Sequence, residues 1–411
     1  MRNGFEGTAM LDQAGSRKTP VKAPRRLSVL GSTGSIGQNT LDLILRNRDD
    51  FSLVALTAGT RVKALAEQAR LLRPEVAVIA DERLYRDLKE ALDGTGVEAA
   101  AGEAAVSEAA ARDCDWTMSA IVGAAGLKPT LAAVDRGAVV AFANKETLVC
   151  AGSLVMQRVA SSGATLLPVD SEHNAIFQVF DSERRDGIDR IVLTASGGPF
   201  RRHSVAEMAA KTPEEAVAHP NWDMGAKISV DSATMMNKGL ELIEAGHLFE
   251  MPSERVEIVV HPQSVIHSMV VYRDGSILAQ LGSPDMRTPI AHTLAWPHRM
   301  ATPVEPLDLV KVASLTFESP DPQRFPALRL ARQAMEAGGT APLVLNAANE
   351  CAVAAFLRRD IGFLDIAGVV EETLSAMPSE DPGDLDAVIA WDRSARETAE
   401  AAIAVRRRAA S

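Results

Sequence analysis

Cysteine is scarce in this sequence of 411 residues, which contains three and no CxxC pair: Cys114, Cys150 and Cys351. A disulfide framework is therefore not expected, and the thiols are predicted to be small buried side chains in a protein of the reducing cytoplasm. No apolar run approaches the roughly 18 residues of a membrane-spanning helix, so no membrane partner is expected. Residues 1–26 lack the apolar segment of a secretory signal and are predicted to form a flexible N-terminal extension.

Positive charge is in deficit, because 43 Lys and Arg stand against 54 Asp and Glu, a formal net charge of −11. This balance argues against nucleic acid as the partner, although it allows a local basic pocket for a phosphorylated metabolite. Apolar residues make up 46% and charged residues 24%, which excludes a mainly disordered, collagen-like or coiled-coil chain. At roughly 100–200 residues per domain, the length predicts two or three domains.

The order of strand and helix patterns predicts an α/β protein with three parts. From 27 to 169, short apolar strands alternate with helices, which is typical of a Rossmann-like parallel sheet covered on both faces. Residues 170–295 are predicted to form an α+β domain, with a polar loop over 211–231, a helix over 232–247 and a hairpin turn at Asp274-Gly275. A proline-rich linker over 296–325 then leads to a helical bundle over 326–411.

A glycine-rich turn lies between the first predicted strand and helix, with the sequence GSTGSIG at 31–37. Its glycines allow a tight turn and a close approach to a pyrophosphate, and the helix N-terminus presents N–H groups to phosphates. This context predicts a dinucleotide site, although GxxGxxG is a variant spacing and a plain glycine-rich turn is the alternative.

The end of the second predicted strand bears on which nicotinamide cofactor binds. An NAD site usually has a carboxylate there to hold the ribose 2′-hydroxyl. The segment 57–61 instead reads TAGTR and contains no acid, while Thr60 and Arg61 could bind a 2′-phosphate. The pattern therefore favours NADPH over NADH.

Three carboxylates are candidates for a metal site. Asp170 and Glu172 lie two residues apart, and in an extended strand end they would face one point. Asn237 and Glu241 share one face of the helix predicted over 232–247. Carboxylates without cysteine suit a hard divalent ion such as Mg²⁺ or Mn²⁺. The alternative is that Asp170 caps a helix and Glu241 lies on a solvated face.

Candidates for phosphate binding begin at Ser196-Gly197-Gly198, where a strand ends and backbone N–H groups could form an anion nest. Downstream lie further polar side chains, His219, Ser232, Asn237 and Lys238. Ordinary turn chemistry and surface exposure are the alternatives.

The segment 219–225, HPNWDMG, is a candidate active-site lid, and we call it the lid segment. It places Trp222 in a polar loop bounded by Pro220 and Gly225, where a large apolar ring is unusual. A lid would use this ring to cover substrate and exclude water. The alternative is a loop that Trp222 anchors in the core.

Taken together, several segments resemble the family of 1-deoxy-D-xylulose 5-phosphate reductoisomerases. The resemblance extends from about residue 27 to the C-terminus and is weakest in 81–112, in 297–325 and in the terminal helices. The segments that carry it are LGSTGSIGQNTLD (30–42), AIVGAAGL (120–127), ANKETLV (143–149), PVDSEHNAIFQ (168–178), TASGGPF (194–200), HPNWDMGAKISVDSATMMNKGLELIEA (219–245) and HPQSVIHSMVVYRDGSILAQLGSPDMRTPI (261–290).

The resemblance implies a role for individual residues of this chain. The implied metal ligands are Asp170, Glu172 and Glu241, which together with Lys145 are the implied catalytic residues. The implied substrate contacts are Lys145, Ser171, Glu172, Ser196, His219, Trp222, Ser232, Asn237, Lys238 and Glu241. The implied cofactor contacts are Thr33, Gly34, Ser35, Ile36, Gly59, Thr60, Arg61, Asn144, Glu146 and Gly225.

The resemblance also implies an activity. A cytoplasmic homodimer that pairs through its central sheet would convert the sugar phosphate 1-deoxy-D-xylulose 5-phosphate to 2-C-methyl-D-erythritol 4-phosphate, in non-mevalonate isoprenoid precursor biosynthesis. It would use NADPH and Mg²⁺ or Mn²⁺, with Co²⁺ as an alternative, and the carbon skeleton would rearrange by cleavage and re-addition or by a direct shift. Two other classes remain, a metal-free NADPH dehydrogenase and a non-catalytic NADPH sensor, and neither accounts for carboxylates and lid together.

Overall fold

A seven-stranded parallel sheet forms the first part of the chain. The computed structural model describes residues 23–220, 222 and 224–410, without the side chains of 408–410. Most of the predicted extension, residues 1–22, therefore lies outside the described residues, as do Asn221 and Asp223 of the lid segment. The first strand begins at Arg25, two residues inside the predicted extension, because its backbone pairs with two neighbouring strands.

The seven strands follow the order β4-β3-β2-β1-β5-β6-β7, with every pair parallel. The strands are β1 Arg25–Leu30, β2 Phe51–Ala58, β3 Val76–Ile79, β4 Glu98–Ala101, β5 Trp116–Ser119, β6 Val139–Phe142 and β7 Thr165–Pro168. The helices between them are α1 Ser35–Arg46, α2 Val62–Leu72, α3 Tyr85–Ala91, α4 Glu103–Ala111, α5 Leu127–Val134 and α6 Lys145–Ser162. Parallel strands end at one edge of the sheet, so the turns after β1, β2 and β6 lie together.

The central part contains a four-stranded mixed sheet in the order β11-β10-β8-β9. Its elements are α7 Ser171–Val179, β8 Ile188–Ala195, α8 Val205–Ala209, α9 Pro213–Val217, α10 Ala226–Ala233, α11 Met236–Phe249, β9 Val256–Val260, β10 Ile266–Tyr272, β11 Ile277–Leu281 and α12 Arg287–Ala295. The pair β8–β9 is parallel, and β10 is antiparallel to both β8 and β11. The predicted hairpin turn joins β10 to β11, with Gly275 at φ +88°.

Two predictions about this part are wrong. The segment 211–231 is not one loop, because it contains α9 and most of α10; Thr212 and Glu215 form a capping box that starts α9. The segment 232–247, predicted as one helix, belongs to two helices. Met235 has φ +64°, a left-handed conformation that ends the helical geometry between α10 and α11. No glycine or proline marks this break, so the sequence pattern does not reveal it.

The C-terminal helices pack directly on the central part. After the short helix α13 Leu309–Val312 come α14 Pro326–Ala337, α15 Ala341–Leu357, α16 Asp365–Ala376 and α17 Leu385–Ala410. One apolar core runs from β8 and β9 through α11 into α14, α15 and α16, with Leu193, Leu240 and Leu345 fully buried. Among residues 23–220, 222 and 224–410, no helix has both the length and the apolar character needed to cross a membrane.

Candidate active site

The turn after β1 has the backbone that a bound pyrophosphate requires. Gly31 has φ +84°, and a Cβ there would lie 2.6 Å from the carbonyl oxygen of Ala120. A Cβ at Gly37 would lie 2.4 Å from the carbonyl oxygen of Gly31, so helix α1 can approach the turn only with glycine. Gly34 is the N-cap of α1 and no side chain of the described residues caps this end, so the first N–H groups of Ser35 and Ile36 suit an anion.

The turn after β2 joins this site through Arg61. Its Nη1 atom donates a hydrogen bond of 2.9 Å to the carbonyl oxygen of Thr33, which brings the two turns together. Gly59 and Thr60 are exposed beside it, as Arg61 is. A guanidinium at this position fits the 2′-phosphate of NADPH, consistent with the missing carboxylate.

The turn after β6 adds two side chains to the cofactor end. The amide nitrogen of Asn144 donates to the carbonyl oxygen of Gly123 at 3.1 Å. Its Oδ1 is buried and has no hydrogen-bond partner among the described residues, which suits a donor from a ligand. Glu146 lies in the first turn of α6, and its Oε1 accepts a hydrogen bond of 3.1 Å from Lys227, two residues after Gly225.

The three candidate carboxylates converge. Oxygen atoms of Asp170, Glu172 and Glu241 lie within 4.8 Å of one another, and we call these three residues the carboxylate cluster. An ion that binds each oxygen at about 2.0–2.4 Å spans such a separation, so the donor set fits Mg²⁺ or Mn²⁺. The prediction that Asp170 and Glu172 converge from an extended strand end is wrong. Asp170 is the N-cap of α7, and its Oδ1 accepts a hydrogen bond from the Glu172 N–H at 3.3 Å. The helix turn, not a strand, brings the two side chains together.

Two lysines offset part of the negative charge of the carboxylate cluster. The Nζ atom of Lys145 lies 2.6 Å from Asp170 Oδ2 and 3.4 Å from Glu241 Oε1. Lys238 Nζ lies 2.9 Å from Glu172 Oε1 and also pairs with Glu241. Asn237 completes the contact, since its oxygen accepts from Lys145 at 2.8 Å and its amide donates to Glu241 at 2.6 Å. The ammonium groups of Lys145 and Lys238 hold the carboxylate oxygens close together. The cluster is therefore an environment that favours a cation.

Asp170 and Glu241 of the cluster have pKa shifts in opposite directions. Burial raises the pKa of Glu241 to about 7, and the neighbouring charge of Glu172 adds to the effect. The pKa of Asp170 lies well below its usual range, because Lys145 and His173 outweigh the effect of burial. Burial alone would lower the pKa of Lys145, but Asp170 and Glu241 outweigh it and raise the pKa well above the usual value. Lys145 therefore stays charged at neutral pH.

Two buried residues behind the cluster were not predicted. His173 Nδ1 lies 3.0 Å from Glu244 Oε2, and His173 Nε2 lies 2.9 Å from the main-chain oxygen of Glu241. Asp170, His173 and Glu244 form a second group whose ligand atoms could hold a metal ion. The signal was present in the sequence, because His173 follows Glu172 directly and Glu244 lies one helical turn after Glu241.

Part of the predicted phosphate-binding set, Ser196, Gly198, His219 and Ser232, meets at the end of β8, whereas Asn237 and Lys238 lie at the carboxylate cluster. Ser196 Oγ lies 2.9 Å from His219 Nε2, and it accepts a hydrogen bond of 3.2 Å from the Gly198 N–H. A Cβ at Gly198 would lie 2.5 Å from the carbonyl oxygen of Ser232, so α10 reaches this turn. Burial lowers the pKa of His219. Ser171, at the start of α7, instead donates to Glu172 Oε2 at 2.6 Å.

Trp222 is half-buried beside a histidine that was not predicted. Its main-chain N–H donates to His219 Nδ1 at 3.0 Å, and its ring lies 6.3 Å from the ring of His267. His267 is buried on β10, and burial lowers its pKa. It appears in the sequence segment HPQSVIH, but nothing local connects it with Trp222, 45 positions earlier.

The fold and these clusters define an NADP-dependent oxidoreductase that also uses a divalent metal. Family models described as 1-deoxy-D-xylulose 5-phosphate reductoisomerase match residues 27–152, and models of its C-terminal domains match 166–249 and 281–398. The chain belongs to the 1-deoxy-D-xylulose 5-phosphate reductoisomerase family. The resemblance and the enzyme class predicted from the sequence are thereby confirmed.

Relatives and solved structures agree with this family. The chain is 64% identical over 383 residues to the 1-deoxy-D-xylulose 5-phosphate reductoisomerase of Rhodospirillum centenum, covering 93% of this chain and 95% of the relative. The Zymomonas mobilis enzyme in complex with NADPH has 61% identity and a TM-score of 0.89, covering 92% of this chain and 99% of that one. A structure of a DOX-P reductoisomerase with NADPH, fosmidomycin and magnesium has 44% identity and a TM-score of 0.89, covering 93% and 98%. The predicted fold class is confirmed by these matches.

Proposed function

We propose that the chain rearranges and reduces 1-deoxy-D-xylulose 5-phosphate to 2-C-methyl-D-erythritol 4-phosphate, with NADPH and a divalent ion, in isoprenoid precursor biosynthesis. The observation that carries the proposal is the position of the carboxylate cluster. Glu241 of the cluster lies 3.4 Å from Lys145, and Lys145 begins the helix whose next residue, Glu146, belongs to the predicted cofactor site. The metal, the substrate and the nicotinamide ring would therefore all bind near the N-terminus of α6.

The proposed cofactor site combines three turns. The N–H groups at the start of α1 would hold the pyrophosphate, and Arg61 would pair with the 2′-phosphate. Asn144 and Glu146 would contact the cofactor from the turn after β6. Support comes from the buried Oδ1 of Asn144, which no donor in the described part of the chain reaches. Gly225, the N-cap of α10, is the last of the proposed cofactor contacts.

The carboxylate cluster would hold the divalent ion. When bound, this ion supplies a Lewis acid for the carbonyl and hydroxyl oxygens of the substrate. Without the ion, burial raises the pKa of Glu241 to about 7, so this carboxyl group exchanges a proton near neutral pH. Lys145 remains an ammonium group, so its role is to stabilise negative charge that develops on substrate oxygen rather than to accept a proton.

The remaining residues would bind the phosphate and cover the substrate. Ser196 and Ser232 would supply hydroxyl donors at the end of β8. Asn237 and Lys238, which contact Glu241, would supply amide and ammonium donors on the side of the carboxylate cluster. His219 lies at hydrogen-bond distance from Ser196, which supports a shared phosphate contact. A phosphate held there provides binding energy away from the reacting carbon atoms and helps to orient them. Trp222, half-buried beside His267 of β10, would exclude water from the reacting carbons.

The assembly that we propose is a cytoplasmic homodimer that pairs through the four-stranded sheet. Support comes from the edge strand β11, where Ile277, Leu278 and Leu281 are exposed. The three free cysteines are buried and suit a reducing compartment. Light scattering during size exclusion should give twice the monomer mass of 43.8 kDa. A monomeric mass at micromolar concentration would contradict this assembly.

The activity is tested by following the absorbance of NADPH with 1-deoxy-D-xylulose 5-phosphate as substrate. The expected result is oxidation that needs both substrate and metal, stops with EDTA and returns with Mn²⁺ or Mg²⁺, and gives the branched product by mass spectrometry and NMR. Oxidation that persists in EDTA would favour a metal-free dehydrogenase. Cofactor binding without turnover of this substrate would favour an NADPH sensor.

A further inference from the structure

Lys227 connects the proposed cofactor site with the helix that follows the lid segment. It is the second residue of α10, and its Nζ atom lies 3.1 Å from Glu146 Oε1 and 2.8 Å from Asp231 Oδ2. Glu146, the second residue of α6, lies on the other side of this contact. One ammonium group thus joins two helices that lie 81 residues apart in the sequence.

Asp231, one turn further along α10, restrains the side chain of Lys227 through an ion pair. Its side chain is 1% exposed, and its second oxygen, Oδ1, accepts a hydrogen bond of 2.8 Å from Asn349 on α15. The direction of Lys227 is therefore set by the helical bundle, because Asn349 is itself fully buried in that helix. The chain of contacts runs from α15 through α10 to the first turn of α6.

Stability alone is a poor account of this arrangement. Glu146, with a side chain 11% exposed, and Asp231 carry two negative charges against the one positive charge of Lys227. Burying such a group costs desolvation energy, and apolar side chains of similar size join helices at least as well. The arrangement holds the carboxylate of Glu146 charged and in one direction, since Lys227 and Lys145 outweigh the effect of burial and lower its pKa.

We propose that Lys227 is a positioning residue for the nicotinamide cofactor, which aims the Glu146 carboxylate at the cofactor end of α6. The inference rests on the cofactor role proposed above for Glu146. Without the ammonium group, the Glu146 carboxylate would turn towards other donors or take up a proton. Either change removes a charged hydrogen-bond partner from the cofactor, and the loss of such a partner weakens binding by about tenfold or more.

The test is the Kd for NADPH, measured by calorimetry without substrate or metal, so that it does not depend on turnover. Lys227→Met removes the charge and keeps the length of the side chain, and we expect Kd to rise about tenfold. Lys227→Arg keeps the charge and should recover most of the affinity. In steady state with substrate, Lys227→Met should raise KM for NADPH more than it lowers kcat.

Lys211→Met is the matched control. Lys211 also forms an i,i+4 ion pair, with its Nζ 2.7 Å from Glu215 Oε1, and its side chain is partly buried as that of Lys227 is. It lies before the lid segment and outside the proposed cofactor site, so its variant should bind NADPH as the wild type does. A general effect of removing a lysine would appear in both variants.

Glu146→Gln separates this inference from the function on which it rests. If Glu146→Gln weakens NADPH binding and Lys227→Met does not, the positioning role is wrong and the proposed cofactor role of Glu146 stands. If Glu146→Gln binds NADPH normally, the cofactor role itself fails. Should Lys227→Met not fold, Lys227→Gln is measured in its place, and a wild-type Kd in a folded Lys227→Gln protein would equally overturn the inference. In the double variant, Lys227→Met should add little to Glu146→Gln.

Discussion

His173 and Glu244 form a fully buried ion pair behind the carboxylate cluster, with His173 Nδ1 3.0 Å from Glu244 Oε2. The two atoms lie at ion-pair distance without the alignment of a hydrogen bond. Burial alone would lower the pKa of His173, but the charge of Glu244 outweighs it and raises the pKa to about 9. The pair joins α7 to α11, the two helices that carry the candidate metal ligands.

This ion pair predicts a decrease in stability at alkaline pH. A histidine whose pKa is raised on folding stabilises the protein fully below its unfolded pKa of about 6.5, and this contribution is lost as the pH rises through the folded pKa. Thermal midpoints of the metal-free protein should therefore fall between pH 6.5 and about 9. The loss should be on the order of 1–3 kcal/mol.

The matched variants are Glu244→Gln, which removes the partner charge, and His298→Gln, which removes a histidine from an exposed position. Glu244→Gln should flatten the pH profile of the thermal midpoint, whereas His298→Gln should follow the wild type. An unchanged slope in Glu244→Gln would mean that Glu244 is not the group that raises the pKa of His173.

Glu241→Gln should reduce turnover by on the order of 10²-fold or more, because it keeps the shape of the side chain and removes one charge from the proposed metal site. The measurement is the steady-state rate at limiting Mn²⁺. Glu250→Gln, on the exposed C-cap of the same helix, is the control that removes a carboxylate elsewhere. Wild-type turnover in Glu241→Gln at limiting Mn²⁺ would contradict the assignment of Glu241 as a metal ligand.

The same residue predicts how metal binding depends on pH in the wild type. The folded pKa of Glu241, raised to about 7, lies above its ordinary value, so protons compete with the metal below pH 7. The rise in thermal midpoint on adding Mn²⁺ should therefore be small near pH 5.5 and large near pH 8. Glu241→Gln should show a small rise throughout.

Arg61→Ala should weaken binding of NADPH more than binding of NADH. The guanidinium already lies at the joined turns of β1 and β2, and a lost charge-assisted contact costs about 1.5–3 kcal/mol. We expect KM for NADPH to rise about tenfold or more, with KM for NADH nearly unchanged. Arg70→Ala, near the far end of α2, is the control. Equal effects on both cofactors would show that Arg61 does not contact the 2′-phosphate.

Trp222→Ala should impair turnover while leaving the thermal midpoint within a few degrees of the wild type. Trp222 is half-buried, and its ring has one aromatic neighbour, His267, among the described residues. Removing it admits water and loosens the hold on the substrate. Trp116→Phe, in the fully buried core of β5, is a control that should lower the midpoint instead. A large fall in midpoint for Trp222→Ala, with the folded fraction fully active, would make Trp222 a core anchor.

Several features could be predicted because neighbouring residues decide them. The glycine-rich turn, the missing acid at the end of β2 and the hairpin turn at Gly275 depend on backbone freedom and on residues a few positions apart. In contrast, the sequence EAAA of β4 does not identify a strand, because it lacks the branched and aromatic side chains that are typical of one. The break at Met235 was also missed, because a positive φ at a methionine is sustained by packing and has no local signal.

The chemistry-bearing residue types and their local spacing follow from the chain alone, since turns, caps and helix faces are short-range properties. The pairing of charges between distant segments was decided by the fold. Lys145 meets Glu241 across 96 positions, Lys238 meets Glu172 across 66, and Lys227 meets Glu146 across 81. These pairs exist because apolar packing brings α6, α7, α10 and α11 together, and each buried charge then requires a partner within a few ångströms.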